Sequence, residues 1–290
     1  MEIPGLSHGF VSAGDVRLHY VSAGEGPLVL LLHGFPESWY AYRHQIGPLA
    51  AAGYRVVAPD LRGYGGSDKP RRVSAYAPMR LVEDVRALVD AFGGRAAAVV
   101  GHDWGGVVAY LFAHAHPERL ERLVVANAPH PAHFFAGLSD PAQLRRSWYV
   151  FFFQLPALPE WYSKAFDHAR MRSIFRSDPR RAGAFTDEDI ARTIEAVASP
   201  EARFGSIAYY RALLRPSALA HIARLGPLAV PVWVLWGEQD RYLGRNLAAP
   251  PARLVRAVVL ERLPGASHWV LADAPARTNR FLLEALATPA

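Results

Sequence analysis

One short segment of the sequence has the composition of a nucleophile turn. Residues 101–105 read Gly-His-Asp-Trp-Gly, directly after an apolar run and directly before a stretch with a helical pattern. Small residues two positions before and two positions after a polar residue permit a sharp strand-to-helix turn that exposes the polar side chain. The amino terminus of the following helix favours a negative charge there. We therefore expect Asp103 to be an ionised nucleophile, although an Asp at this position can also simply cap the helix.

A carboxylate nucleophile restricts the chemistry that such a turn can perform. Attack on an ester carbonyl would give a mixed anhydride, which is an unproductive intermediate. Attack on a saturated carbon that carries a leaving group would instead give an alkyl ester of Asp103. Hydrolysis of that ester at its carbonyl needs a general base and an oxyanion hole, so the chain has to supply both.

Six segments, taken in chain order, make the sequence resemble the epoxide hydrolases of the α/β-hydrolase fold. They are His-Gly-Phe-Pro-Glu at 33–37, Arg-Gly-Tyr-Gly-Gly-Ser-Asp-Lys-Pro at 62–70, Gly-His-Asp-Trp-Gly-Gly at 101–106, Trp-Tyr-Val-Phe-Phe-Phe-Gln-Leu-Pro at 148–156, Trp-Gly-Glu-Gln-Asp at 236–240 and Gly-Ala-Ser-His-Trp at 265–269. Each segment is moderately specific, and the similarity extends over essentially the whole chain. It implies conversion of an epoxide and water to a vicinal diol, without a metal or an organic cofactor.

His268 is the expected general base for hydrolysis of the ester. It lies in a loop after the last predicted strand, where the chain order nucleophile, acid, histidine places the base of this fold. Asp240, which follows a predicted strand, would orient the imidazole and stabilise its charged form. Glu238 is the nearest rival for this role, and the resemblance favours Asp240.

Two backbone amides are expected to form the oxyanion hole. One belongs to Trp104, the residue after the nucleophile, and the second to Phe35, at the end of a predicted strand. The resemblance implies in addition that the peptide bond between Phe35 and Pro36 is cis, as a tight turn permits. We also expect the side chains of Phe35, Trp104 and Trp269 to line the substrate pocket.

An epoxide needs an acid, because ring opening leaves an alkoxide, which is a very poor leaving group. Epoxide hydrolases that resemble this chain supply two tyrosines from a helical cap, and these map to Tyr149 and Tyr210. The chain has 12 tyrosines and 14 phenylalanines, so packing alone would place some of them in any such cap. A tyrosine at both family positions favours the catalytic interpretation, and Tyr209 is the alternative for the second position.

Two other functions remain open on the sequence alone. A halide leaves readily and needs N–H donors, which Trp104 and Trp148 would supply in a haloalkane dehalogenase. Such enzymes place Asn or a charged residue where this chain has Phe35, or use a second tryptophan from the cap. Fluoroacetate dehalogenases carry Arg directly after the nucleophile and His at the position of Tyr149, which argues against a haloacid substrate. The third interpretation is a ligand-binding protein of the same fold that lacks turnover.

The elements that must position these residues alternate along the chain. Apolar runs predict strands at residues 16–21, 27–32, 55–58, 96–100, 123–126, 232–236 and 257–260. Amphipathic stretches predict helices at residues 39–52, 79–92, 105–116 and 275–287. Continuous apolar strands separated by helices are typical of a mostly parallel sheet that is covered on both faces. This α/β pattern agrees with the α/β-hydrolase fold that the resemblance implies.

Residues 131–225 interrupt this pattern because no strand signal occurs there. Helices are predicted at residues 143–153, 165–177, 187–198 and 201–214, the third opened by a capping box of Thr186 and Asp189. We therefore predict a core domain of residues 1–130 and 226–290 and a helical cap domain of residues 131–225. The aromatic run at 148–156 resembles a membrane-interface patch, but we expect it to line an apolar pocket beneath the cap.

Composition excludes several other classes of protein. The chain of 290 residues is 51% hydrophobic and 20% charged and has no cysteine, which excludes intrinsic disorder, disulfides and thiolate catalysis. No apolar run approaches the ~18 residues of a membrane span. The first residues lack the basic cluster and apolar stretch of a secretory signal. We expect a cytoplasmic protein that does not bind membranes.

The distribution of charge and of histidines argues against a nucleic-acid partner and against a metal site. The net charge of +6 comes from scattered arginines rather than from a basic patch interleaved with aromatic residues, so we expect no nucleic-acid partner. The histidine pairs at 114 and 116 and at 130 and 133 are poor metal ligands, because the first does not share a helix face and no carboxylate joins the second. The expected partner is a small apolar epoxide, and the sequence does not indicate an oligomeric state.

Overall fold

Short apolar runs form the strands of an eight-stranded sheet in the computed structural model, which describes residues 5–288 apart from the side chains of residues 166 and 167. The strands are β1 (Ser7–Ala13), β2 (Val16–Ala23), β3 (Leu28–Leu32), β4 (Arg55–Pro59), β5 (Ala98–His102), β6 (Leu123–Ala126), β7 (Val232–Gly237) and β8 (Val258–Leu263). Their spatial order is β1-β2-β4-β3-β5-β6-β7-β8. The β1–β2 and β2–β4 pairs are antiparallel and the other five are parallel, so the predicted mostly parallel sheet is confirmed.

Helices cover both faces of this sheet. They are α1 (Ile46–Ala51), α2 (Pro78–Ala91), α3 (Trp104–Ala115), α4 (Pro131–Gly137), α5 (Pro141–Arg146), α6 (Trp148–Phe152), α7 (Leu158–Ser177), α8 (Asp187–Glu195), α9 (Pro200–Leu213), α10 (Pro216–Ala223), α11 (Val270–Asp273) and α12 (Pro275–Ala287). In β3, Leu28, Leu30 and Leu32 belong to the core with α2 and α3, while Val29 and Leu31 belong to the core with α1 and α12. The strand is apolar throughout because it is buried on both faces.

All the described elements between β6 and β7 are helical, as the sequence predicts. The capping box at the start of α8 is also confirmed, with reciprocal hydrogen bonds between Thr186 and Asp189. The single helix predicted at 143–153 is wrong, since the chain breaks at Ser147 into α5 and α6. The buried Gln143 side chain donates to the Ser147 hydroxyl at 2.9 Å and to the Tyr242 carbonyl at 2.9 Å. The contact with Tyr242, which lies 99 residues further along the chain, overrides the local helical preference.

Other predicted boundaries also differ from the structure. The edge strand β1 is missing from the sequence prediction because five of its seven residues are polar or small and its burial is slight. The helix predicted at 39–52 is a 3₁₀ turn (Trp39–Tyr42) followed by the short α1. The short helices α4, α10 and α11 were not predicted from the periodicity. None of these differences moves a candidate site residue out of place.

The loop that follows β4 connects the sheet to the inserted helices. The Arg62 guanidinium donates to both carboxylate oxygens of Asp84 on α2, at 2.7 Å and 2.6 Å, and both side chains are buried. The Arg62 carbonyl accepts a hydrogen bond of 2.8 Å from the Tyr209 hydroxyl on α9. The ion pair therefore fixes the loop on which α9 rests.

Replacing Asp84 by Ala should lower the free energy of unfolding by about 3 kcal/mol, because it leaves the buried Arg62 charge with only the more exposed Asp15 carboxylate, 3.3 Å away, as an ionic partner. Urea unfolding followed by circular dichroism measures this change. Asp90→Ala on the same helix is the matched control, since Asp90 is half-exposed where it pairs with Arg86 and Arg119. That control should cost no more than about 1 kcal/mol. Equal costs for the two substitutions would contradict the structural role of the buried pair.

Candidate active site

Asp103 lies at a sharp turn between β5 and α3. Its backbone has φ 50° and ψ −120°, a combination that is strained for a residue with a side chain. The turn packs closely against the end of β3, because a Cβ atom at Gly105 would lie 2.6 Å from the His33 carbonyl oxygen. The predicted strand–turn–helix geometry is therefore present, and it lifts Asp103 to the carboxyl edge of the parallel strands.

The two oxygens of the Asp103 carboxylate have different surroundings. Oδ1 accepts a hydrogen bond of 2.8 Å from the Phe35 amide, whereas Oδ2 lies 3.5 Å from His268 Nε2. A Cβ atom at Gly34 would lie 2.6 Å from Oδ1, so a glycine is required for this approach. Burial opposes ionisation, but His268 above all, together with His102 and the Phe35 amide, holds the pKa of Asp103 below its usual value. The carboxylate is therefore ionised at neutral pH.

His268 connects Asp103 to Asp240. The His268 Nδ1–H group donates to Asp240 Oδ2 at 2.7 Å, while Nε2 faces Asp103. Asp240 is buried, and its Oδ1 accepts hydrogen bonds from the amides of Tyr242 and Leu243 at 2.7 Å and 2.9 Å. Burial alone would lower the pKa of His268, but the Asp240 charge, followed by the contacts with Asp103, raises it to about 10. The imidazole is therefore charged when Asp103 is ionised.

Glu238, the rival of Asp240 on sequence, lies away from this histidine. Its carboxylate is 3.6 Å from the Arg262 guanidinium, while Asp240 contacts His268 directly. The structure thus brings together Asp103, His268 and Asp240 in the order that the sequence predicts.

Three polar residues that the sequence interpretation did not assign surround this group. Asn127, at the carboxyl end of β6, donates to Asp240 Oδ2 at 2.8 Å and accepts from the Gly237 amide at 2.8 Å. His102 bonds to the His268 carbonyl at 2.9 Å, and its Nδ1 lies 3.3 Å from a carboxylate oxygen of Glu37. All three are buried. A polar residue directly after a buried parallel strand was the available signal for Asn127.

Tyr149 on α6 and Tyr210 on α9 lie over the nucleophile from the inserted helices. Their rings are 5.8 Å apart, and both residues line the same two cavities as Asp103. Burial and then the negative charge of Asp103 raise the pKa of both phenols, so both remain protonated. Tyr209 points elsewhere, because its buried hydroxyl donates to the Arg62 carbonyl.

The two cavities flank the tyrosine pair. The larger has a volume of about 140 Å³ and is lined by Phe35, Trp269 and His268 among other residues. The smaller has a volume of about 50 Å³ and is lined by Trp104 and the first inserted helix, α4. The three pocket residues predicted from the sequence are therefore divided between two apolar spaces that meet at Asp103.

The aromatic run at 148–156 is divided in the same way. Tyr149, Phe152 and Phe153 line the larger cavity, and Trp148 lies at its rim with 54% of its surface exposed. Phe151 faces outward and is 47% exposed. The expectation that the run lines a pocket therefore holds for only part of it, because one face of a helical segment lies toward the cavity and the other toward solvent.

The turn that follows β3 has the backbone geometry that the resemblance implies. The peptide bond between Phe35 and Pro36 is cis. The Phe35 amide donates a hydrogen bond to the Asp103 carboxylate. The Asp103 side chain accepts no hydrogen bond from the first turn of α3, which begins with Trp104. Within the described residues, the structure contains no cluster of three or more potential metal ligands. A search of the same residues finds no helix that is long and apolar enough to cross a membrane.

Comparisons with known proteins agree with this geometry. Residues 27–275 match the family model described as alpha/beta hydrolase fold. The chain is 41% identical to the AB hydrolase superfamily protein YfhM of Bacillus subtilis, over 97% of this chain and 98% of that protein. It is 38% identical to Epoxide hydrolase 4 of Mus musculus, over 95% of this chain and 78% of that protein. An epoxide hydrolase of Bacillus megaterium, solved with an inhibitor, superposes with a TM-score of 0.87 at 28% identity, over 97% of this chain and 100% of that one.

The chain belongs to the α/β-hydrolase fold family. Its curated and structural relatives include proteins named epoxide hydrolases, which agrees with the resemblance carried by the six sequence segments.

Replacing Asp103 by Asn should lower the pKa of His268 from about 10 by roughly 1–3, because it removes one of the two negative charges that stabilise the imidazolium. Titration of the His268 ring signals by NMR measures the change. In the native protein, the ion pairs stabilise the fold fully between about pH 3.8 and 6.5; they lose their effect as the pH rises towards about 10, and also as it falls through the lowered pKa of Asp103. Glu238→Gln is the control and should leave the titration unchanged. An unchanged His268 pKa in Asp103→Asn would contradict the electrostatic coupling.

Proposed function

We propose that this protein hydrolyses an apolar epoxide to a vicinal diol through an alkyl ester of Asp103. The observation that carries the proposal is the placement of an ionised carboxylate and two protonated phenols around the same apolar cavity. The carboxylate is a nucleophile for a saturated carbon, and the phenols are acids for the departing oxygen. The relatives that carry the name epoxide hydrolase support the same reaction.

In the first step, Asp103 opens the epoxide ring. Oδ1 is held by the Phe35 amide, so Oδ2 is the oxygen that attacks a ring carbon. The carbon–oxygen bond of the ring breaks as the new bond to Oδ2 forms. The departing oxygen takes a proton from Tyr149 or Tyr210 and becomes the first hydroxyl group of the product. The other phenol donates a hydrogen bond to the same oxygen.

In the second step, water hydrolyses the ester. Alkylation removes the negative charge of Asp103, which is one cause of the raised His268 pKa, so the imidazole can release its proton to the tyrosinate. Neutral Nε2 then takes a proton from water as the water oxygen attacks the Asp103 carbonyl carbon. Asp240 stabilises the imidazolium that forms, through the hydrogen bond of 2.7 Å to Nδ1.

The oxyanion of the tetrahedral intermediate develops on Oδ1. The Phe35 amide already donates to this atom at 2.8 Å, and the Trp104 amide is the proposed second donor. Collapse of the intermediate breaks the ester bond between the Asp103 carbonyl carbon and Oδ2. The departing alkoxide takes the proton of the hydroxyl group that water added, which gives the diol, restores the Asp103 carboxylate and leaves His268 protonated as at the start. His102 supports the base by its hydrogen bond to the His268 carbonyl.

The helices between β6 and β7 are proposed to form a cap domain of residues 131–225 over a core of residues 1–130 and 226–290. Support comes from the positions of Tyr149 and Tyr210, which reach Asp103 only from these helices. Aromatic walls on the cavity favour an apolar substrate and exclude water during ring opening. A cytoplasmic location remains a prediction from the sequence.

The surroundings of the site favour an epoxide over a halide. A halide site needs converging N–H donors, but Trp148 lies half-exposed at the cavity rim and Phe35 stands at the position where many dehalogenases have Asn. Two protonated phenols, by contrast, are suited to an alkoxide. A ligand-binding protein without turnover would not need the buried charges of Asp103, His268 and Asp240. Burying such charges costs desolvation free energy.

Replacing both Tyr149 and Tyr210 by Phe should lower kcat for diol formation from styrene oxide by roughly 10²–10⁴-fold, because the alkoxide loses its acid. Tyr209→Phe is the matched control on the same helix. It removes a hydroxyl that bonds to the Arg62 carbonyl, so it should cost about 1 kcal/mol of stability and change kcat by no more than about twofold.

Diol is measured by chromatography after incubation of each variant with styrene oxide. Full activity in the double variant would contradict the proposed acids. Wild-type protein that forms no diol but releases bromide from a bromoalkane would favour the dehalogenase instead.

A further inference from the structure

An exposed apolar surface lies on helices α6 and α7 and on the turn between them. We call it the aromatic patch, and its members are Trp148, Phe151, Leu155, Leu158, Trp161 and Tyr162. Each has between 40% and 63% of its surface exposed. An aromatic side chain presents roughly 150–250 Å², so the four aromatic members at 40–63% exposure, together with the two leucines, expose several hundred Å². Contiguous apolar patches of this size are uncommon on monomeric soluble proteins and mark interaction surfaces.

The patch is continuous and reaches the mouth of the larger cavity. Its members follow one another at three- and four-residue intervals from 148 to 161, and Tyr162 directly follows Trp161. The Phe152 ring contacts both Trp148 and Tyr162, with centroids 5.7 Å and 5.6 Å away. Trp148 and Tyr162 also line the cavity that contains Asp103. A molecule dissolved in an apolar phase against this patch would therefore have a direct path to the nucleophile.

Positive charge accompanies the patch. Arg145, Lys164 and Arg170 are exposed, and none of them forms an ion pair with another residue whose side chain the structure describes. Residues 145–170 contain four basic residues and two acidic ones, Glu160 and Asp167, and the Arg211 guanidinium contacts the Glu160 carboxylate at 2.5 Å. Aromatic residues next to an excess of Lys and Arg are the composition of surfaces that bind at the membrane–water interface.

Contrary to the expectation from composition that the protein does not bind membranes, we propose that the aromatic patch docks it on an anionic lipid membrane, with the mouth of the larger cavity facing the bilayer. Tryptophan, tyrosine and phenylalanine side chains insert at the level of the lipid head groups, and the neighbouring cations bind lipid phosphates. Docking of this kind requires no membrane-spanning helix. The binding itself does not depend on the reaction, although delivery of an apolar epoxide from the bilayer rests on the proposed function.

Electrostatics favour a lipid surface over a second copy of this chain. In a two-fold symmetric dimer the same patch meets itself, so the cations at 145, 164 and 170 of both copies would be brought close together. An anionic membrane neutralises these charges instead. We therefore assign the surface to lipid and treat self-association as an outcome that the experiment must distinguish.

Vesicle flotation tests the proposal directly. Wild-type protein is mixed with vesicles of phosphatidylcholine alone, or of phosphatidylcholine and phosphatidylglycerol in about a 2:1 ratio. We expect flotation with the anionic vesicles, reduced flotation with the neutral ones, and weakening as salt is added because the charges are screened. A blue shift of tryptophan emission should accompany binding, since Trp148 and Trp161 leave water.

Two sets of variants separate the apolar and the ionic contributions. Phe151→Ser combined with Trp161→Ser should weaken binding to anionic vesicles about tenfold or more, and Lys164→Glu combined with Arg145→Glu should weaken it similarly. None of these four residues lines the cavity of Asp103. Phe10→Ser and Arg280→Glu are the matched controls, because both residues are exposed on elements outside the inserted helices. Circular dichroism confirms that each variant is folded.

Three outcomes would overturn the proposal. The first is wild-type protein that does not float with anionic vesicles at low salt. The second is a Phe151 and Trp161 double variant that binds as tightly as the Phe10 control. The third is a wild-type dimer in light scattering that this double variant converts to a monomer while neither protein binds vesicles, which would assign the patch to self-association. Loss of diol formation with vesicle binding intact would contradict the proposed function but not the docking.

Discussion

The buried charge arrangement of Asp103, His268 and Asp240 is the constraint on which the rest of the structure depends. Two carboxylates on either side of one imidazole are stable in an apolar interior only if the imidazole carries a proton. The Asp240 charge, together with Asp103, raises the pKa of His268 to about 10 and provides that proton. The amides of Phe35, Tyr242 and Leu243 satisfy the remaining carboxylate oxygens. Asn127 completes the arrangement by bonding Asp240.

This arrangement also gives the proposed reaction its order. While Asp103 is ionised, His268 is held in its charged form and is not a base, so the carboxylate attacks first. Alkylation of Asp103 would remove one of the two charges that stabilise the imidazolium, and the same histidine then becomes able to deprotonate water. The parallel sheet makes this possible because β3, β5, β6 and β7 end at one edge, where their following loops bring the Phe35 amide, Asp103, Asn127 and Asp240 together. The histidine arrives from the loop after β8.

Much of the core was predictable from the sequence, because strands buried on both faces are continuously apolar and the turn at Asp103 has a strict glycine requirement. Strand β6 matches its predicted bounds for this reason, and helix α12 matches its own because its buried residues recur at helical spacing. The break at Ser147 was not predictable, since it depends on Gln143 bonding to a segment about a hundred residues away. The contacts of His102, Glu37 and Asn127 likewise depend on tertiary packing. Periodicity also failed to show that Phe151 faces solvent while Phe152 and Phe153 face the cavity.

The most direct test of the covalent route is one turnover of styrene oxide by excess enzyme in ¹⁸O-labelled water, with mass analysis of the diol and of the peptide that contains Asp103. If Asp103 attacks the substrate, the oxygen added to the first diol comes from the carboxylate. The account therefore predicts an unlabelled diol and the label in the Asp103 peptide. A labelled diol from that first turnover, with an unlabelled peptide, would mean that water attacks the epoxide directly and would contradict the role of Asp103.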